Sequence, residues 1–249
     1  APPRRMTTHT VALVGATGGA GTTRLALECG ATLARDGREV AIFDAAYATQ
    51  GLRHHLSGTL DPDLTAVVTG EADLDEALVD VPLDAPGALT CAPAAAPFER
   101  LARAKTAGAA ENLEDHLAAA ALSHDAVIVD TPPVAANQAV AAVDATERTA
   151  VVTPDTRRGA DALAGIRGRL ADIGDGVDNV IANFADDDPV VTEADARVPT
   201  AAVTDPGSCP CVTDPDATFA PAVGEATAAA LGTELSLSFP EGGRLDDLL

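Results

Sequence analysis

Aromatic residues and lysine are almost missing from this 249-residue chain: no Trp, one Tyr, five Phe, and a single lysine, Lys105, among sixteen basic side chains. A core must therefore be made from Ala, Val and Leu. The shortage of cations leaves a formal net charge of −22, with 26 Asp and 12 Glu. A surface of that sign repels nucleic-acid phosphates and anionic membranes, so direct nucleic-acid binding is not expected. The acidic excess runs along the whole chain. At high salt, screening over a few Å makes such a surface tolerable, and the composition points to salt adaptation. Four cysteines (Cys29, Cys91, Cys209, Cys211) at irregular spacings imply no disulfide framework. No apolar run approaches about 18 residues and no signal-peptide pattern opens the sequence. The expectation is a soluble, cytoplasmic protein without membrane insertion.

What is present is a regular alternation of two periodicities. TVALVG (10–15) is a short apolar strand closing in Gly, and TTRLALECGATLARDG (22–37) has helical spacing and a Gly stop. REVAIFDA (38–45) is a second strand, and LTAVVTGEADLDEALVD (64–80) reads as two short helical pieces around Gly70. GALTCAP (87–93) is a candidate strand, 92–97 a loop, ENLEDHLAAAALS (111–123) a helix, and HDAVIVDTPP (124–133) a strand that stops at paired prolines. A helix at 136–144, the strand RTAVVTP (148–154), the helix 159–174 and the strand DNVIANF (178–184) follow. TAAVTD (200–205) is a further possible strand, before a helix near 217–231. Continuous apolar strands between amphipathic helices predict an α/β fold: one doubly wound, mostly parallel sheet with helices on both faces. The expected organisation is an N-terminal extension or tag remnant at 1–9, one domain at 10–235 and an acidic tail at 236–249. Ligands belong at the carboxyl ends of the strands.

The segment VGATGGAGTTR (14–24) lies at such an end, and it reads in two ways. As Gly15-Ala16-Thr17-Gly18-x-x-Gly21 it resembles the GATGxxG loop of the extended short-chain dehydrogenases, which bind NAD(P). Asp44 would then hold a ribose hydroxyl. The catalytic Tyr-x-x-x-Lys of those enzymes is missing, because Tyr47 is followed by Gly51, so only a non-catalytic NAD(P) sensor fits that reading.

As Thr17-Gly18-Gly19-Ala20-Gly21-Thr22-Thr23 the same loop resembles the deviant phosphate loop of the MinD/ParA ATPases, a P-loop NTPase family. HDAVIVDTPP is similar to that family's Walker B strand, with Asp130 as the magnesium-associated carboxylate. VAIFDAAYATQGLRHHL resembles its Asp-x-Asp segment, VDATERTAVVTPDTRRGADALAGI its strand–helix pair after Walker B, and VIANFADDD its V-x-N-R, whose Asn meets adenine. The resemblance runs in order from about 10 to 232. It implies ATP or ADP with Mg²⁺ bound by Gly18, Gly19, Ala20, Gly21, Thr22, Thr23 and Asn183, with Thr23, Asp44 and Asp130 around the metal. A homodimer or a protein partner, in cell division or chromosome partitioning, is implied as well.

The departures fall on the chemistry. The phosphate-loop lysine is Thr22, the family's second lysine is Thr17, and the second carboxylate of Asp-x-Asp is Ala46. Phosphoryl transfer depends on positioned charge, and one catalytic cation is worth about 10³-fold or more. The expectation is a degenerate member, from a halophilic archaeon, acting as a regulatory or positioning partner with little or no hydrolysis. A weak but active Mg-ATPase is the alternative. Glycines and a helix N-terminus still suit an anion, though the same loop also serves as a plain strand–helix turn with nothing bound. Arg24 comes one residue too late and is expected to point away from the phosphates, by the ~100° step per helical residue.

Other motifs carry less. Cys209-Pro-Cys211 resembles, one residue short, the Cys-x-x-Cys of cluster-assembling relatives; two loop thiols are the plainer reading. His54-His55 reads as surface histidines and Arg157-Arg158 as a solvated helix start. The tail EGGRLDDLL lacks the basic face of a membrane-seeking helix.

Overall fold

The computed structural model describes residues 8–212 and 218–239. The expectations for residues 1–7, and for the acidic tail from 240 onward, lie outside the described residues.

The sheet is built around its first strand. Strand β1 (His9–Gly15) pairs in parallel with β5 (Ala126–Thr131) on one side and β6 (Arg148–Pro154) on the other. Beyond β5 come β2 (Glu39–Asp44), β4 (Ala88–Ala92) and a two-residue antiparallel edge, β3 (Val79–Asp80). Beyond β6 lie β7 (Asn179–Ala185) and β8 (Ala196–Pro199). The order is β3-β4-β2-β5-β1-β6-β7-β8. This is the doubly wound, mostly parallel sheet that the sequence predicts.

Alternation within each strand decides which helices it meets. Val11, Leu13, Ala126 and Ile128 face one layer, with α1 (Thr22–Arg35) and α8 (Phe219–Leu231). Ala12, Val14, Val127 and Val129 face the other, against α5 (Ala107–Ser123), α6 (Asn137–Asp144) and α7 (Arg157–Asp172). Both faces of the central strands are dry, so their apolar runs are continuous. Each fully buried Val or Leu there contributes about 1.5–3 kcal/mol. Short helices α2 (Leu64–Val68), α3 (Leu74–Ala77) and α4 (Phe98–Ala104) add Leu64, Val67, Ala77 and Ala104 to the core cluster that holds Phe43 and Ala92.

Two expectations need correction. TAAVTD (200–205) is not a strand; β8 lies earlier, at Ala196–Pro199. Pro199 has no N–H to continue the ladder, and the chain leaves the sheet toward a 3₁₀ turn at Pro206–Ser208. The helix expected from 111 begins at Ala107, because the Thr106 hydroxyl accepts from Ala109 N at 3.4 Å and caps it. Packing also continues past residue 235: Ser236 N donates to Asp36 Oδ1 at 2.8 Å, and the Phe239 ring lies against Gly224. Among the described residues no helix is long and apolar enough to cross a membrane.

Candidate functional site

The carboxyl ends of β1, β2 and β5 open into a cleft of about 330 Å³ around the 15–23 loop. The loop is fixed at its base, where Ala16 N donates to Val152 O at 2.8 Å. Its turn needs left-handed backbone at Gly19 (φ 78°) and Gly21 (φ 81°), a conformation glycine adopts without a Cβ penalty. Gly21 is also the N-cap of α1 and provides no side-chain acceptor. The first-turn N–H groups of α1 are therefore left for an incoming acceptor, at the positive end of the helix dipole. Thr17, Gly18, Gly19, Ala20, Thr22 and Thr23 all border the cleft. Thr22 folds back on β1, so that a Cβ on Gly15 would stand only 2.7 Å from its Oγ1.

Two carboxylates meet beneath the loop, because strand register sets Asp44 of β2 directly against Asp130 of β5. Asp130 is buried, its carboxylate is hydrogen-bonded by the Thr23 hydroxyl, and its Oδ2 has no partner among the described residues. Asp44 lies deeper, outside the cleft lining, and accepts from Ala46 N at 2.9 Å, from Ala94 N at 3.4 Å and from Leu52 N. Burial pushes both carboxyls upward, and the neighbouring Asp130 charge raises Asp44 further. An orphaned carboxylate oxygen beside a threonine hydroxyl is a hard oxygen donor pair of the kind that suits Mg²⁺. The loop above it suits the phosphates such an ion accompanies. The residues present fit that group.

The remaining cleft wall comes from the turn after β2. Ala46, Thr49, Gly51 and His55 border it. Ala46 leaves no carboxylate where the resemblance places one. Burial lowers the His55 imidazole from its ordinary value, and its Nδ1 meets Pro206 O at 3.1 Å. Sequence reading assigned His55 to the surface without a role. Its partner, 151 residues away, has no local signal.

Arg24 turns away from the phosphate loop, as expected. Its guanidinium meets Glu28 at 3.3 Å, Cys211 Sγ at 3.1 Å, Val203 O, and the Phe219 ring at 5.6 Å. Glu28 is fully buried and takes Cys211 N (2.9 Å) and Val212 N (3.0 Å), pinning the 204–212 segment to α1. The Arg24/Glu28 pair at i,i+4, with Glu28 between the apolar Leu27 and Cys29, was the available clue to this anchor. Burial, with the Glu28 charge beside it, pushes the Cys211 thiol up to about 12. Among the described residues no group of three His, Cys, Asp or Glu side chains could hold a metal. Arg157 and Arg158 are exposed at the start of α7, which Thr156 caps.

Asn183, at the end of β7, sits beside the loop with one hydrogen bond at each end of its amide. Nδ2 donates to Ala20 O at 2.9 Å, and Oδ1 accepts from Phe184 N at 3.0 Å. Phe184, not singled out by the sequence, follows in the left-handed region at φ 58°.

The dinucleotide reading does not survive the topology. In a dinucleotide fold the second strand lies beside the first; here β5 separates β1 from β2. Asp44 therefore faces Asp130 rather than a ribose. Tyr47, the only tyrosine, is fully buried.

No family model matches the chain, and no curated protein matches it in sequence. Solved structures do. The septum site-determining protein MinD from Pyrococcus horikoshii, complexed with Mg-ADP, has a TM-score of 0.75 at 19% identity, covering 88% of this chain and 94% of that one. A chain of the MinC:MinD cell division protein complex of Aquifex aeolicus gives 0.71 at 20%, over 93% and 98%. A ParA family ATPase from Chlorobium tepidum gives 0.66 at 20%, over 78% and 84%. At these identities the likeness is one of architecture, and the chain has the P-loop fold of the MinD and ParA ATPases.

Proposed function

We propose that this chain binds ATP or ADP with Mg²⁺ at the 15–23 loop and acts as a regulatory or positioning partner with little or no ATP hydrolysis. The observation that carries the reading is a glycine loop at an uncapped helix N-terminus with, among the described residues, no free cation at its cleft. The loop keeps both left-handed glycines and an uncapped helix N-terminus, while Thr17 and Thr22 stand where lysines belong. Of the cations bordering the cleft, Arg24 is committed to Glu28 and Cys211, and burial disfavours protonation of His55.

In this reading the amides of residues 18–23 hold phosphate oxygens, the Thr23 hydroxyl and the free Asp130 oxygen hold Mg²⁺, and Asp44 supports them from behind. The ion would neutralise phosphate charge when bound. Ala46 provides no carboxylate to orient an attacking water, so the bound triphosphate persists. A persistent nucleotide suits a protein that signals by occupancy, to a second copy or to a protein partner. The neighbours' MinC:MinD complex supports that expectation by fold alone.

Binding of ATP, ADP and NADP⁺ with Mg²⁺, together with phosphate release, tests this. ATP and ADP are expected to bind weakly, at about 0.1 mM, since amides and a helix dipole supply only part of the usual contacts. Asp130→Asn should weaken Mg-dependent binding about tenfold, while phosphate release stays at background. Turnover like that of an intact ATPase would favour the weak-enzyme alternative, and absence of nucleotide binding would sink the proposal.

The acidic surface belongs to the same proposal, as adaptation to a salt-rich cell interior. With a formal net charge of −22, self-repulsion weakens the compact state until ions screen it. The thermal midpoint is expected to rise by about 10 °C between roughly 0.2 and 2 M KCl. A flat response in a melting series would remove the salt-adaptation reading.

A further inference from the structure

The turn after β2 offers no carboxylate at Ala46, yet its backbone is fixed at several points. Thr49 N and Gln50 N both donate to Ala46 O, at 3.0 and 2.9 Å. Gln50 is buried and left-handed at φ 51°, and its Nε2 donates to Ala96 O at 3.0 Å. Leu52 is fully buried, and its N–H donates to the Asp44 carboxylate. Gly51 is held between these two anchors and borders the cleft, as Thr23 does.

Gly51 and Thr23 are in contact. A Cβ built on Gly51 would meet Thr23 first, with Oγ1 at 3.0 Å, Cγ2 at 3.2 Å and Cβ at 3.5 Å. The Thr23 hydroxyl is the group that hydrogen-bonds Asp130, the carboxylate whose Oδ2 has no partner among the described residues. The backbone of Gly51 is ordinary, at φ −68° and ψ −38°, which any L-residue adopts. Its neighbour, and not its own conformation, accounts for glycine here. A β-branched side chain has few staggered wells, and a backbone packed against it decides which stays open.

We infer that Gly51 is a positioning residue, backing the Thr23 side chain so that its hydroxyl is set against Asp130 in the arrangement a divalent cation needs. This rests on the Mg-nucleotide reading above. Gly51 brings no side-chain ligand of its own; it acts through Thr23. Mg²⁺ demands near-ideal octahedral geometry, whereas Ca²⁺ accepts a range of distances and ligand numbers. A methyl group on residue 51 moves Thr23 by a few tenths of an ångström, which costs Mg²⁺ more than Ca²⁺.

The test measures ADP binding to the full chain in roughly 2 M KCl, with Mg²⁺, with Ca²⁺ and with a chelator. Gly51→Ala is expected to weaken Mg-ADP about tenfold, Ca-ADP by no more than about threefold, and metal-free ADP not at all. Thr23→Ser removes the methyl that meets the new Cβ and keeps the hydroxyl. Added to Gly51→Ala, it should bring Mg-ADP back to within about threefold of wild type, the non-additivity of two residues in contact. Equal losses for all three ligand forms, with no rescue, would mean that Gly51 only supports the fold, and would overturn the inference.

Methyl NMR on the ligand-free protein separates this outcome from failure of the nucleotide reading. In Gly51→Ala the Thr23 methyl resonance should shift and its χ1 couplings change, while in the double variant the fold stays as in wild type. If wild type binds ADP under none of the three conditions, the nucleotide reading falls and the metal role of Gly51 falls with it. If wild type binds Mg-ADP and Gly51→Ala changes neither the affinity nor the Thr23 resonance, the positioning role alone is overturned.

Discussion

Thr22→Lys is expected to tighten Mg-ATP binding about thirtyfold, the effect of one charge-assisted contact worth about 2 kcal/mol. Residue 22 opens α1 and borders the cleft, so a lysine there enters a space of about 330 Å³ that the smaller threonine leaves unused. Among the described residues no side chain does this work. The single lysine, Lys105, caps the far end of α4, and Arg24 is held by Glu28 and Cys211. Hydrolysis should not follow from the lysine alone, because Ala46 lines the same cleft without a carboxylate. Adding Ala46→Asp is expected to raise phosphate release about 10³-fold over wild type, the scale of positioned charge in phosphoryl transfer. Calorimetry and a phosphate-release assay on the single and double variants decide it. An unchanged affinity in Thr22→Lys would mean that the loop does not cradle phosphate.

Gly21→Ala should damage both the backbone and the packing of the loop. Its φ of 81° costs an L-residue about 1–2 kcal/mol. The new Cβ also meets the Asn183 amide and the Phe184 ring, an overpacking of about 1–3 kcal/mol. The sum, about 3 kcal/mol, lowers the melting midpoint by roughly 10 °C in a domain of this size. Nucleotide binding should be lost with it, because the loop must move to admit the methyl. Gly19→Ala is the control. Its φ is similar at 78°, yet no atom lies within 4 Å of the new Cβ, so only the backbone cost of about 1–2 kcal/mol remains. Equal losses in the two variants would show that the Asn183 contact is not tight.

Much of the site could be read before the structure, for a local reason. Val11–Gly15, Thr22–Arg35 and Val127–Thr131 carry their periodicity and their terminators within a few residues. What lies at the ends of strands follows once the strands are placed. The pairing of Asp44 with Asp130 depended only on β2 lying beside β5. What was hidden depends on distant chain segments meeting. The bond from Asn183 to Ala20, 163 residues away, exists only because β7 brings the two together. Glu28 looked like an ordinary helix residue until the 204–212 segment covered it. The final strand was misplaced by a few residues because Ala201 and Val203 look as apolar as Ala196 and Val198; only Pro199 marks where pairing must stop.

The central position of β1 also fixes when the site can exist during synthesis. His9 to Gly15 leave the ribosome before the other strands of the sheet, yet their neighbours begin only at Ala126 and Arg148. At translation rates of about 5–20 residues per second, the first strand waits roughly 6–22 seconds for a partner. During that time an apolar segment and its glycine loop have no edge to join. Pairings this remote in sequence make folding slow and expose the nascent chain to self-association. A dense negative charge spread along the same chain then keeps one unfinished copy away from another.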